Sequence, residues 1–208
     1  MEQKEYWDSV SAEKTFTTPF DEEIFRSYIG KDSFVLDVGC GYGRILALLE
    51  DLGYEDLHGT DFSIGMIERG IRLHPELDLR LMEFGKIPYA DESADAVILF
   101  AVLTCIASDE EQKELIEEVR RVLKPEGILY INDFLLNDDE RNLHRYEKGM
   151  EGMPYGTFVL PEGAVVRHHT TEHFDELLKD FEKVREQENV FTTMNGNKSR
   201  GIALFVRK

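Results

Sequence analysis

The chain has 208 residues, with 24 Lys and Arg against 42 Asp and Glu, a formal net charge of −18. That length suits one domain with a core of its own, and 42% hydrophobic with 32% charged residues suits an ordinary globular protein. The acidic balance disfavours a nucleic-acid partner, which is gripped by neutralising phosphates with Lys and Arg. Only Cys40 and Cys105 are cysteines, too few for a disulfide framework or zinc site, and no metal centre is expected. The start, Met1 to Asp8, is polar, and no apolar run approaches the ~20 residues of a membrane helix, so a cytoplasmic protein with no membrane partner is expected.

Strand-like and helix-like runs alternate from about Phe34 onward, the pattern of an α/β sheet with crossover helices. Phe34–Val38 is a short β-rich run ending at glycines, followed by a helix over Arg44–Leu52 that Gly53 closes. Leu57–Asp61 reads as the second strand, and Ser63 caps a helix from Ile64 to about Leu73. Leu77–Leu81 alternates as a third strand. Ala94–Ala101 is almost continuously apolar, as a central strand covered on both faces should be. A helix from about Ser108 to Leu123 places Leu115, Ile116, Val119, Val122 and Leu123 at helical spacing, and Lys124-Pro125-Glu126-Gly127 stops it. Gly127–Asp133 is the fifth strand.

The stretch from Leu135 to His169 breaks this rhythm. It opens on charged residues, continues through Gly149, Gly152, Pro154 and Gly156, and predicts a hairpin of Thr157–Leu160 and Ala164–His168 about Pro161-Glu162-Gly163. The rhythm resumes with a helix from Thr171 to about Lys179, a strand within Val184–Thr193 and a last strand over Ile202–Val206. A turn at Asn195–Lys198 joins these two strands, so the sheet is expected to end with one antiparallel strand.

The strongest chemical signal is Asp37-Val-Gly-Cys-Gly-Tyr-Gly43 between a strand and a helix. Glycines at 39 and 41 let the backbone turn sharply and leave nothing to block a ligand, and the following helix offers free N–H groups. A dinucleotide loop of the G-x-G-x-x-G type wants its third glycine at 44, where this chain has Arg. The loop therefore suits a cofactor without a pyrophosphate better than NAD. Asp61, at the end of the second strand, is in register to accept both hydroxyls of a ribose, which points to an adenosine-containing ligand.

Four motifs in order, Val35–Arg44, Gly59–Ile67, Ile87–Asp95 and Glu118–Leu129, resemble those of class I S-adenosylmethionine-dependent methyltransferases. The resemblance covers about Tyr28 to Asp133. It implies a Rossmann-like α/β fold: a seven-stranded, mostly parallel sheet of order 3-2-1-4-5-7-6, last strand antiparallel, helices on both faces. It also implies S-adenosylmethionine as cofactor. Gly39, Cys40 and Gly41 would line the methionine part and Asp61 would hold the ribose, with Asp37 and Phe62 also among the cofactor-binding residues. Glu83 stands where the family usually has an Asp facing the adenine amino group. The backbone N–H of Phe84 would face the adenine ring, and Phe100 would lie beside the methionine moiety. Met66 either covers the adenine or belongs to the core. Glu126 departs from the glycine common there.

The chain then divides into an N-terminal segment and first helix (1–30), a cofactor-binding half (31–133), a substrate-side insertion (134–169) and a C-terminal helix with an antiparallel strand pair (170–208). The insertion follows the fifth strand, whose carboxyl end should face the cofactor, so it is the candidate recognition element. Its Arg141, Arg145, Tyr146 and Arg167 are candidate substrate contacts that would suit an anionic or polar acceptor. His168 and His169 are candidate catalytic groups, or they decorate the hairpin end. Tyr6 and Trp7 either form a flap over the pocket or pack against the sheet. The function expected is methylation of a small-molecule acceptor. A protein acceptor, or a cofactor-binding regulatory protein without transferase activity, are the alternatives.

Overall fold

The structure, a computed structural model, describes residues 3–193 and 196–208. Its centre is one seven-stranded sheet built from β1 (Val35–Val38), β2 (Leu57–Asp61), β3 (Asp78–Leu81), β4 (Ala94–Phe100), β5 (Leu123–Phe134), β8 (Glu182–Thr192) and β9 (Lys198–Arg207). The order is β3-β2-β1-β4-β5-β9-β8. The first five strands pair in parallel, and β9 runs antiparallel to both β5 and β8. This is the Rossmann-like order implied by the motifs. The expected turn joining β8 to β9 includes Asn195, which lies outside the described residues.

Alternation along the strands builds two cores at once. Leu36, Val38, Val97, Leu99, Leu129 and Ile131 face one side, where α5 (Asp109–Val122) lays down Leu115, Ile116, Val119 and Val122. Val35, Ala96, Ile98, Ile128 and Tyr130 face the other, under α3 (Arg44–Asp51) and Phe25 of α2 (Glu22–Tyr28). A slip of one residue in β4 would exchange its two faces, so burial on both sides specifies the register. Ser63 caps α4 (Ile64–Leu73) by accepting from Met66 N–H at 3.2 Å, and Ser108 caps α5 in the same way.

The main departures lie at the edges of the motifs. The N-terminal segment holds two helices, α1 (Gln3–Val10) and α2. Asp8 fixes α1 to the start of α4: its carboxylate accepts from Ser63 Oγ at 2.6 Å and Gly65 N–H at 3.2 Å. The fifth strand begins at Leu123, four residues before Gly127, and Glu126 within it has φ +65°. Glycine tolerates that left-handed backbone best, which accounts for the glycine common at this place in the resembling family.

The insertion comprises α6 (Glu140–Lys148) and a hairpin of β6 (Thr157–Val159) and β7 (Val165–Arg167). The chain leaving the hairpin is tied to the end of β5, with His169 N–H donating to Phe134 O at 3.1 Å and Leu136 N–H to His169 O at 2.8 Å. The hairpin thereby overhangs the carboxyl edge of the sheet. Among the described residues no helix is long and apolar enough to cross a membrane.

Candidate active site

A cavity of about 720 Å³, including its open mouth, lies beyond the carboxyl ends of β1, β2 and β4. Gly39, Cys40 and Gly41 form its floor. Gly39 and Cys40 donate to Thr60 O, which draws the loop across the end of β2. The two glycines have φ +76° and +57°. A Cβ on Gly39 would sit 2.6 Å from Val102 Cγ2, and one on Gly41 would sit 2.9 Å from Phe16 Cε2. Their missing side chains let both walls close in.

The acidic groups of this cavity are buried and short of partners. Asp61 accepts from Gly41 N–H at 2.9 Å and from Ser63 N–H at 2.8 Å. Burial outweighs those bonds and pushes its carboxyl up to about 6. Asp37 is pushed up to about 7 by burial and by the charge of Asp61, with Arg44 opposing. Its Oδ1 is buried with no hydrogen-bond partner among the described residues. A buried acceptor left unpaired is costly, so this cavity suits a ligand bringing N–H donors or positive charge. Arg44 donates to Thr18 O at 2.9 Å and lies 5.5 Å from the centre of the Phe100 ring. Burial drives the Cys40 thiol well up, so it is no nucleophile at neutral pH.

A second cavity of about 980 Å³, again including its open mouth, adjoins the first and shares Trp7, Phe16, Thr18, Ala101 and Cys105 with it. Ala101 turns the chain there with φ +58°. The second cavity is roofed by α1 and the hairpin, with walls from Phe134, Phe158, Leu160 and Val166. Its charged lining is Lys14, Arg141, Arg145 and Glu162. His168 also faces it, with Nδ1 at 2.6 Å from the Tyr146 hydroxyl and the ring stacked on Phe134. Burial and the positive charges of Arg145 and Arg141 hold this imidazole down to about 3, so it stays neutral.

The comparisons with known proteins agree on one family. A family model described as "Methyltransferase domain" matches residues 36–131. A crystal structure of an S-adenosylmethionine-dependent methyltransferase from Methanosarcina mazei superposes with a TM-score of 0.86 at 26% identity, covering 91% of this chain and 99% of that one. The chain carries a class I S-adenosylmethionine-dependent methyltransferase domain. Among curated relatives, the demethylmenaquinone methyltransferase of Renibacterium salmoninarum is 36% identical over 100 residues, 48% of this chain and 40% of its own length. The tRNA (carboxymethyluridine(34)-5-O)-methyltransferase of Saccharomyces cerevisiae is 29% identical over 130 residues, 62% of this chain and 45% of its own length. The chain thus spans under half of either curated relative.

Within this methyltransferase domain, Asp37, Gly39, Cys40, Gly41, Asp61, Phe62, Met66 and Phe100 line the first cavity together. Met66 is buried as well, so core and wall are one role. Glu83 and Phe84 stand outside the lining. The Glu83 carboxylate is exposed and pairs with Lys86 Nζ at 2.9 Å, and Phe84 is 40% exposed with its ring against Phe62. They leave the wall because the sheet ends at Leu81 and the chain turns outward through the Glu83–Lys86 bridge.

On the second cavity, Arg145 and His168 are in the lining and Tyr146 reaches it through His168. Two candidates are corrected. His169 turns away into a buried network, its Nε2 at 2.8 Å from Gln112 and its ring stacked on His173. Arg167 points the same way, donating to Ala107 O at 3.0 Å and to Asp109 at 2.6 Å. The reason is strand alternation: Val166 and His168 face the cavity, so Arg167 and His169 cannot. Lys14, Phe16, Thr18 and Arg44 were not singled out as contacts. Arg44 carried a signal, a cation directly after the glycine loop, whereas Phe16 and Thr18 lie in an irregular segment with no motif.

Proposed function

We propose that the protein transfers a methyl group from S-adenosylmethionine to a small-molecule acceptor held in the second cavity. The observation that carries this reading is the junction, where five residues belong to both cavities. Ligands in the two cavities would lie against the same five residues, which supports the proximity that group transfer needs. S-adenosylmethionine, when bound, supplies an electrophilic methyl on a sulfonium sulfur. The chain's residues bind and orient it. Asp61 takes the ribose hydroxyls with the lone pairs that Gly41 and Ser63 leave over. Gly39, Cys40 and Gly41 follow the methionine part, with Phe100 beside it, and the unpartnered Asp37 oxygen suits its positive charge. Phe62 and Met66 would flank the adenine.

A small acceptor is favoured by the roof that α1 and the hairpin make and by the apolar walls of Phe134, Phe158, Leu160 and Val166, the lining usual for such ligands. The net charge of −18 favours it over a polynucleotide, the acceptor named for the yeast relative. His168, held neutral, is too weak a base to take a proton near pH 7. With the Tyr146 hydroxyl donating to Nδ1, its Nε2–H can donate to the acceptor and position it. The direct test supplies S-adenosylmethionine with a labelled methyl to small aromatic and apolar acceptors, to a protein extract and to bulk tRNA. Label is expected in the small-molecule fraction. Label confined to protein or RNA would replace the acceptor class, and cofactor binding with no label in any arm would leave a binding protein.

A further inference from the structure

The second cavity contains a cationic end that nothing in the fold requires. Arg141 and Arg145 sit four residues apart on α6, so one helix face presents both guanidinium groups to the cavity. Arg145 has no carboxylate within ion-pair distance among the described residues. Its one hydrogen bond is to Asn142 Oδ1 at 3.2 Å, and it lies 5.0 Å from the centre of the Phe158 ring. Arg141 is only loosely held, 3.6 Å from Asp139 and 3.4 Å from Lys198 O. The third cation, Lys14, is already engaged by the Tyr6 hydroxyl at 3.0 Å and by Glu162 at 3.3 Å.

In a chain with 42 acidic residues against 24 basic ones, two neighbouring arginines that share among the described residues only one ion-pair contact, Arg141 to Asp139 at 3.6 Å, are conspicuous. Neither stabilises the fold through a close ion pair, and Asp139, 3.6 Å from Arg141, relieves their mutual repulsion only in part. Burial and Arg141 together hold the Arg145 guanidinium below its ordinary range, although Asp139 and Glu162 oppose this. An anion between them would relieve that repulsion and satisfy the planar forks in the way carboxylates do. The cavity continues from these arginines past Phe134, Phe158 and Val166 to the junction at Ala101 and Cys105.

We propose that the acceptor is an organic anion with an apolar, ring-bearing body, its anionic group held by Arg145 and Arg141 and its nucleophilic atom at the junction. This rests on the small-molecule reading and narrows it. The two arginines then act as specificity residues: they bind a group remote from the reacting atom and set how far the nucleophile reaches. Carboxylate and phosphate share the required chemistry, and the experiment separates them.

Trp7 is the only tryptophan in the chain and lines both cavities, which makes its fluorescence a reporter that needs no label. The full chain, saturated with S-adenosylhomocysteine, is titrated with 3-phenylpropanoate, with its neutral amide and with phenyl phosphate. At least one anion should bind about tenfold or more tighter than the amide, and the stronger of the two identifies the acceptor's anionic group. Arg145→Gln should abolish that preference while leaving the affinity for the amide and for S-adenosylhomocysteine within about threefold. Arg145→Lys, which keeps the charge without the fork, should retain part of it. Equal binding of anion and amide to the wild type, or a preference that survives in both Arg145→Gln and Arg141→Gln, would overturn the anion assignment and leave the small-molecule reading standing. Binding of none of the three probes, with S-adenosylhomocysteine still bound, would overturn both.

Discussion

The two cavities are built in opposite ways. The cofactor side takes most of its wall from residues at or just beyond the ends of β1, β2 and β4, so Gly39, Gly41, Asp61 and Phe100 are each placed by the strand they end or follow. The acceptor side assembles Lys14 and Phe16 from the N-terminal segment, Cys105 from the turn after β4, Arg145 from α6 and His168 from the hairpin exit. One is a property of local sequence on a common scaffold; the other exists only once distant segments meet. Substrate chemistry can therefore change while the cofactor side stays as it is.

Acid titration separates the two regions most strongly. Asp37 has its folded value pushed up to about 7 from 3.8 by burial and by Asp61. Between those values the native state holds a proton that the unfolded chain has lost, so stability falls as pH rises from about 4 to 7. His168 is held down to about 3 from 6.5 by burial and the two arginines. There the unfolded chain holds the extra proton, so the stability linked to His168 is present above about 6.5 and lost as pH falls toward 3. Urea midpoints followed across pH 3–8 should show Asp37→Asn removing its share of the falling limb, on the order of 4 kcal/mol across its window, with the rest carried by Asp61 and the buried Asp133, which are raised in the same way. His168→Gln should remove its share of the second, the remainder belonging to the buried His169, which is also held down. If either variant leaves its slope untouched, that group is not buried in the way the structure shows.

Next in size is Asp61→Ala, which should weaken S-adenosylmethionine binding by about 2–4 kcal/mol through loss of charge-assisted bonds to the ribose. Calorimetry that finds an unchanged dissociation constant would mean the ribose is held elsewhere, and the cofactor side would lose its clearest anchor. The companion Glu83→Gln should cost much less, since that carboxylate is exposed and paired with Lys86.

Arg167→Ala sharpens the boundary of the acceptor side. Its guanidinium is nearly sealed, but its partner Asp109 is half exposed, so the pair is partly screened by solvent. The variant should lose about 1–2 kcal/mol of stability in thermal or urea unfolding. At a temperature where it stays folded, it should bind the cofactor and methylate the acceptor like the wild type. A drop in turnover with stability unchanged would return Arg167 to the acceptor site.

The smallest effect is expected at Glu126→Gly. Removing a side chain from a left-handed position gains roughly 1 kcal/mol, and the added freedom of glycine in the unfolded chain offsets most of it. A melting temperature within a few degrees of wild type is expected, with cofactor affinity unaltered. Marked destabilisation would mean the Glu126 side chain makes a contact worth more than its φ of +65° costs.

How much of this was legible in the sequence follows the same division. The period-two and period-3.6 patterns, the caps at Ser63 and Ser108 and the glycines of the loop act over a few residues, and the sequence alone determined the alternating elements and the cofactor floor; the sheet order came only from the resemblance of its four motifs to a known family. It also marked 134–169 as the interruption over the site. It could not say which of Arg141, Arg145, Arg167, His168 and His169 face inward. For Arg167, His168 and His169 that depends on a one-residue phase along the hairpin exit, set by the backbone bonds of His169 with Phe134 and Leu136; for Arg141 and Arg145 it depends on how α6 packs beside the hairpin. Likewise Phe16 and Thr18 become walls only because Asp8 pins α1 to α4 and the loop behind it must cross the glycine floor. Local conformational preference reaches a turn or two along the chain; a cavity between segments more than a hundred residues apart is decided by packing, and only the tertiary structure holds that information.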